Sequence, residues 1–269
     1  MRAIIFAGPS LPPSARPVAE TGIEWRPPVR QGDLYRGALT GPDVIGVIDG
    51  YFESVPTVWH KEILWAMAQG IHVFGAASIG ALRAAELDVF GMRGIGLIYE
   101  AFRDGVLEDD DEVAVLHGPE ELGYPPLTEA MVNIRATSDE AVRAGVLAPD
   151  LAAQLTEIAK SLFYKERTYD AVLQRAAASG LPAALLRDFA AWLPSNRIDQ
   201  KRRDAETLLA AIHSHLAAAP PPLRVGYTLA ETVAWEALSQ NAVEPGPENQ
   251  KVIGTQPTFR ANSAFPPAK

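Results

Sequence analysis

Three observations predict an α/β protein: a parallel sheet flanked by helices in its N-terminal part, followed by a mainly helical C-terminal part. Three short apolar runs, Arg2 to Ala7, Val44 to Ile48 and Ile71 to Phe74, are each stopped by a turn signal. Those signals are Gly8-Pro9-Ser10, Asp49-Gly50 and Gly75, and continuous apolar runs of this length read as parallel strands buried on both faces. Between the second and third runs Trp59, Ile63 and Met67 recur every four residues before Gly70, the pattern of an amphipathic crossover helix. After Ser138 alanine and leucine take over at helical spacing.

In chain order, the third strand leads into Ala81 to Leu87, read as helix, and Gly91 to Arg103 reads as a further helix closed by Asp104-Gly105. The acidic run Glu108 to Glu112 precedes a predicted strand, Val113 to Leu116, which ends at His117-Gly118-Pro119. Pro125-Pro126 marks a loop before a helix holding Asn133 and Arg135. From Ser138 to Gln240 the chain reads as helices broken at Pro149, Ser179-Gly180, Pro194 and Pro220 to Pro222. The proline-rich remainder has no periodic apolar pattern and reads as a flexible tail. The expected organisation is therefore a core over 1–137, a helical region over 138–240 and a tail over 241–269.

Composition narrows the class. A chain of 269 residues, 48% hydrophobic and 21% charged, suits a soluble protein with a sizeable core. No apolar run is long enough for a bilayer, and Met1 to Gly8 is too short for a secretory signal. The absence of cysteine excludes a thiol nucleophile, disulfides and thiolate metal sites, so sulfur chemistry here requires sulfur carried by a partner. A cytoplasmic location is expected. A net charge of −9 argues against a nucleic-acid surface. The one basic cluster, Lys201-Arg202-Arg203, is followed by Asp204 and Glu206 and reads as a solvated helix face.

The chemistry-bearing stretch is Gly75-Ala76-Ala77-Ser78-Ile79-Gly80. A side chain at the tip of a sharp strand-to-helix turn stands clear only if the residues two before and two after it are small, and Ala76 and Gly80 meet that demand. Ser78 would then lie beside helix amides able to bind an anion or stabilise an oxyanion. A serine before a helix is more often a cap, and on this motif alone capping is the stronger reading. Ligands of open parallel sheets bind beyond the carboxyl ends of the strands, so Ser10, Asp49 and Ser78 are expected to converge on one edge. Two phosphate-binding readings fail: neither a P-loop string nor a dinucleotide fingerprint is present, and no cofactor is implied.

Taken together, Gly8-Pro9-Ser10, Val47-Ile48-Asp49-Gly50-Tyr51-Phe52, Val58 to Leu64 and Gly75 to Leu87 closely resemble the TfuA-like family. The match continues through Gly91-Met92, Asp109 to His117 and Val132-Asn133-Ile134-Arg135. Looser echoes lie at Leu162-Phe163-Tyr164, Arg167-Thr168-Tyr169 and Ile198 to Ala205. The resemblance covers about four fifths of the chain, and motifs in a shared order are more specific than any one alone. Ile79 stands where the family more often has methionine, and the tail after Gln240 lies outside the resemblance. What the resemblance implies is an accessory protein of YcaO-type enzymes, which activate a peptide amide with ATP, in pathways where that amide becomes a thioamide in modified peptides. The implied role is sulfur transfer: hydrolysis of a thiocarboxylated ubiquitin-like carrier, delivering sulfide to the YcaO partner. The alternative is a non-catalytic adaptor docking carrier and YcaO.

Thiocarboxylate hydrolysis needs a nucleophile, an oxyanion site and release of hydrosulfide. Ser78 is the candidate nucleophile, with the amides after it for the oxyanion. The candidate bases are His60, His117 and Lys61, and topology allows an Asp49 to His60 to Ser78 relay. His60 could instead bond a loop carbonyl, and Lys61 could hold an anion or, as the commoner case, pair with Glu62 or Asp49. Gly50 and Gly80 are expected at the binding edge. Arg83 and Glu86 read as an intrahelical pair beside it. Arg135, with Asn133, could hold a carrier's terminal carboxylate in a fork or make a structural ion pair. The run Glu108 to Glu112 could ligate magnesium, but a solvated turn or a docking surface for basic partner residues is the stronger reading. Trp25, Trp65, Trp192 and Trp235 are read as packing residues.

Overall fold

Five strands form one parallel sheet in the order β2-β1-β3-β4-β5: β1 Ala3–Phe6, β2 Ile23–Arg26, β3 Val44–Val47, β4 His72–Ala76 and β5 Arg93–Ile95. These coordinates come from a computed structural model, which describes residues 1–17, 21–53 and 55–243. The expected tail therefore lies, from residue 244 onward, outside the described residues.

Strand alternation assigns each face its cover. Ile4, Phe6, Ile45, Val47 and Val73 point into one core with Ile63 and Met67 of α2 (His60–Ala68) and Ala81 and Ala84 of α3 (Ile79–Leu87). Ala3, Ile5, Val44 and Phe74 face the other way, against α9 (Gln200–Ala218). In α9, Ala205, Leu208 and Ile212 are fully buried. Burying a leucine or isoleucine stabilises by about 1.5–3 kcal/mol, enough to carry polar neighbours of the same helix into the interior. Gly46 permits the close approach, since a Cβ there would lie 2.7 Å from Ile212. A third core unites α5 (Met131–Arg143), α6 (Pro149–Ser161), α7 (Tyr169–Ala178) and α8 (Ala183–Asn196). Thus α5 spans the expected 137/138 boundary, and α9 from the helical region completes the sheet's second layer.

Two expectations need correction. Gly91 to Arg103 is not one helix but β5 followed by α4 (Leu97–Arg103). Gly96 has φ 94° and breaks the helical run, while a Cβ on Gly94 would collide with the Tyr99 ring at 2.1 Å. Val113 to Leu116 is not a sheet strand; the chain instead runs beside the Pro125–Leu127 loop, with Leu127 donating to the Leu116 carbonyl. The half-buried edge strand β2 and α1 (Asp33–Leu39) were not anticipated, because charged and proline-rich flanks hide their short patterns. The helical reading from Ser138 onward holds for the described residues, interrupted over 219–232 before α10 (Val233–Val243). No helix among the described residues is long and apolar enough to cross a membrane.

Candidate functional site

The strand order reverses between β1 and β3, and the carboxyl ends of those strands open the crevice where such sheets bind ligands. Asp49 lies at its base, 2% exposed. Its Oδ2 accepts the amides of Gly8 (2.9 Å) and Ser10 (3.0 Å), and its Oδ1 accepts the Ser10 hydroxyl at 2.6 Å. Asp49 and Ser10 therefore do meet, as a fastener between two strand ends whose hydrogen bonds occupy the carboxylate.

Ser78 follows β4. Its amide reaches back to the Ala76 carbonyl at 2.7 Å, closing a γ-turn on Ala77, whose φ of 67° is strained for a residue with a Cβ. Strain is tolerated because the turn is clamped: a Cβ on Gly80 would sit 1.8 Å from the Val47 carbonyl, and one on Gly75 would sit 2.1 Å from the Gly80 carbonyl. The serine occupies the N-cap position of α3, yet its side chain makes no capping bond, so the capping reading fails. Among the described residues the Ser78 hydroxyl has no hydrogen-bond partner, although the residue is 8% exposed. Of the amides that follow, Gly80 donates to the Ile48 carbonyl, and Ala81 and Leu82 donate to Ser78's own carbonyl.

A cleft of about 510 Å³ opens over this edge, lined by Asp49, Gly50, Ser78, Arg83, Glu86, His117 and Lys201 among others. His117 reaches it without a sheet strand beneath it. Its Nδ1 lies 2.8 Å from the Gly118 carbonyl, which can only accept, so Nδ1 donates there and Nε2 is the ring nitrogen left over. The ring packs against Tyr51 and Tyr124.

His60 does not line this cleft. Its Nε2 meets Glu86 Oε2 at 2.7 Å, and Arg83 Nη1 meets the same oxygen at 2.7 Å, the expected intrahelical pair. Burial alone would raise the Glu86 carboxyl, but the His60 and Arg83 hydrogen bonds outweigh it and hold it below the ordinary carboxylate range. The Asp49 to His60 contact of the anticipated relay is absent among the described residues, both side chains being engaged elsewhere. Lys61 turns away to the Ala230 carbonyl and the Thr232 hydroxyl and lies over the Trp235 ring; its partner is neither Glu62 nor Asp49. Glu62 is fully buried instead, accepting the amides of Gly32, Tyr35 and Trp59.

Glu108, Asp109 and Asp110 of the acidic run are exposed, as a solvated turn has them, while Asp111 and Glu112 turn inward to basic residues of the same chain. Glu112 takes both arms of Arg135 at 2.9 Å, Asp111 takes Arg167 at 2.6 Å, and Lys160 joins Asp109, Asp111 and Glu112. Arg135 is thus committed to an ion pair. No acidic or histidine group suited to holding a metal occurs among the described residues.

Lys201 is the residue that sequence reasoning missed. Read as part of a solvated basic face, it is 3% exposed, and Asp204 is buried too, at 2%, accepting the Ile98 amide. Positions 201, 205, 208 and 212 form one helical stripe, which was the available signal. Asn133 holds the start of that helix: its Oδ1 accepts the Lys201 amide at 3.1 Å, and its Nδ2 donates to Glu129 and Asp199. Lys201 Nζ donates to the Val113 carbonyl at 2.7 Å and has no carboxylate within 4.0 Å among the described residues. Burial pushes its amine downward, opposed by the more distant charges of Asp49, Asp199 and Glu129. It also lines a smaller adjoining cavity of about 180 Å³ beside Ser10, Glu129 and Asn133.

Fold and cleft define a parallel α/β protein with a polar site at the carboxyl ends of its strands. The family model described as TfuA-like protein matches residues 49–168, so this part of the chain is similar to that family. That span holds Asp49, Ser78 and His117, while Gly8-Pro9-Ser10 and Ile198 to Ala205 lie outside it. No curated protein matches the chain significantly.

Proposed function

We propose that this protein hydrolyses the C-terminal thiocarboxylate of a ubiquitin-like carrier and passes the sulfide to a YcaO-type enzyme for thioamide formation, in the cytoplasm. The observation that carries the reading is the Ser78 hydroxyl, which has no internal partner and lines the cleft behind a strained turn. A hydroxyl that faces the cleft with no internal bond is available to a bound ligand. Ser78 Oγ adds to the thiocarboxylate carbon while His117 Nε2 receives its proton; collapse breaks the C–S bond, and the sulfur leaves as hydrosulfide with that proton. Water then cleaves the acyl-serine ester, releasing the carrier carboxylate and restoring Ser78. The net change consumes one water and yields a carboxylate, hydrosulfide and a proton. With the next amides engaged, the Ile79 amide is the donor for the oxyanion.

A second reading, the adaptor, draws on Asp49 and His60 being already bonded to Ser10 and Glu86. The test is to incubate the purified full chain with a thiocarboxylated carrier, without YcaO, and to measure sulfide. Release by wild type and its loss in Ser78→Ala are expected. Carrier binding with no release by wild type would leave the adaptor, and equal release by both would remove Ser78 as nucleophile.

A further inference from the structure

Lys201 has no role in the chemistry above, yet it is among the most unusual side chains in the molecule. A lysine that is 3% exposed needs acceptors for three N–H groups, and its Nζ has one, the Val113 carbonyl. Buried ammonium groups are otherwise paired, and here no carboxylate stands within 4.0 Å among the described residues. Of the acids facing it, Asp49 is taken up by Gly8 and Ser10, while Asp199 and Glu129 bond Asn133. The side chain borders the same cleft as Ser78. Asn133 and the apolar stripe of α9 hold it there, so its burial is imposed by the fold.

We propose that the Lys201 amine is the receptor for an anionic acyl terminus, a carboxylate or thiocarboxylate, drawn into the cleft. An anion at contact distance supplies the missing counter-charge and the missing acceptors together, and it favours the charged form of the amine. A neutral ester or amide of the same acyl group supplies neither charge nor a second strong acceptor. Lys201 is then the selectivity element that admits free acyl anions. The thiocarboxylate form of this inference rests on the function proposed above; the preference for an anion rests on Lys201 itself.

Binding tests it independently of turnover. Pentaglycine with a free C-terminal carboxylate and its C-terminal amide are titrated into the full chain, with affinity read by calorimetry. Wild type should prefer the carboxylate by about tenfold or more, the size of a charge-assisted hydrogen bond. Lys201→Met should bind both peptides alike and melt no lower than wild type. Should that variant not fold, wild type labelled with 13C-lysine should show the Lys201 side-chain resonance moving with the carboxylate peptide and not with the amide. Equal affinity of wild type for the two peptides, binding of neither, a preference retained in Lys201→Met, or an unmoved resonance would each overturn the proposal. A preference for the carboxylate without sulfide release from a thiocarboxylated carrier would uphold it while removing the hydrolase reading.

Discussion

The Asn133 side chain accepts the Lys201 amide at 3.1 Å, joining the first turn of α5 to the first turn of α9. Its Nδ2 bonds Glu129 and Asp199, so one carboxamide ties three segments together. Replacing it leaves a buried amide and two carboxylates short of partners. Asn133→Ala should lower stability by about 1–3 kcal/mol, read as a lower urea midpoint with an unchanged slope.

Asp49 and Ser78 should respond oppositely to truncation. Asp49→Ala strands the amides of Gly8 and Ser10 and the Ser10 hydroxyl, and a loss of at least about 2 kcal/mol is expected in urea unfolding. Ser78→Ala removes a hydroxyl with no internal bond, so its stability should stay within about 0.5 kcal/mol of wild type while sulfide release is lost.

His60→Ala tests whether the histidine bonded to Glu86 takes part in proton transfer. General bases contribute about 10²- to 10⁴-fold, whereas a residue bonded to Glu86 outside the cleft should change the rate of sulfide release by less than about tenfold. A larger loss with unchanged melting would return the base to His60 and take it from His117.

Gly80→Ala should not give a folded protein. The added methyl would stand 1.8 Å from the Val47 carbonyl, and because the atoms it meets are backbone of Val47 and Ile48 no side-chain rotation relieves the clash. Insoluble expression, or circular dichroism without a cooperative melt, is the expected observation.

Acid should loosen the ion-pair cluster under α6. For Asp111 and Glu112 burial raises the carboxyl, but hydrogen bonds from Lys160 and Arg167, and from Arg135 and Lys160, outweigh it and hold both below their ordinary values. A lowered folded value means stability present in full above the ordinary carboxylate range and lost as pH falls through that range to the folded values. Thermal melts should therefore drop steeply below about pH 4, and Asp111→Asn should be less stable at pH 7 yet show a flatter decline.

Much of the fold was legible in the sequence because its signals are local. The apolar runs ending at Gly8, Asp49 and Gly75 became β1, β3 and β4, and the small residues around Ser78 became the clamped turn. The convergence of Ser10, Asp49 and Ser78 followed from the rule for parallel sheets, and each does lie at a carboxyl end. β5 was hidden because three residues with a central glycine carry too little pattern to stand apart from the helix that follows.

By itself the sequence determined the class of fold, the crossover helix and the identity of the turn, since steric and periodic demands act within a few residues. Tertiary structure alone decided which polar groups remain free. Whether Asp49 is taken up by Ser10, whether His60 meets Glu86, and whether Lys201 is buried at the start of α9 with no carboxylate partner among the described residues depend on contacts between residues 26 to 88 positions apart. Burial and pairing are properties of the assembled interior, and no local pattern carries the electrostatics that follow from them.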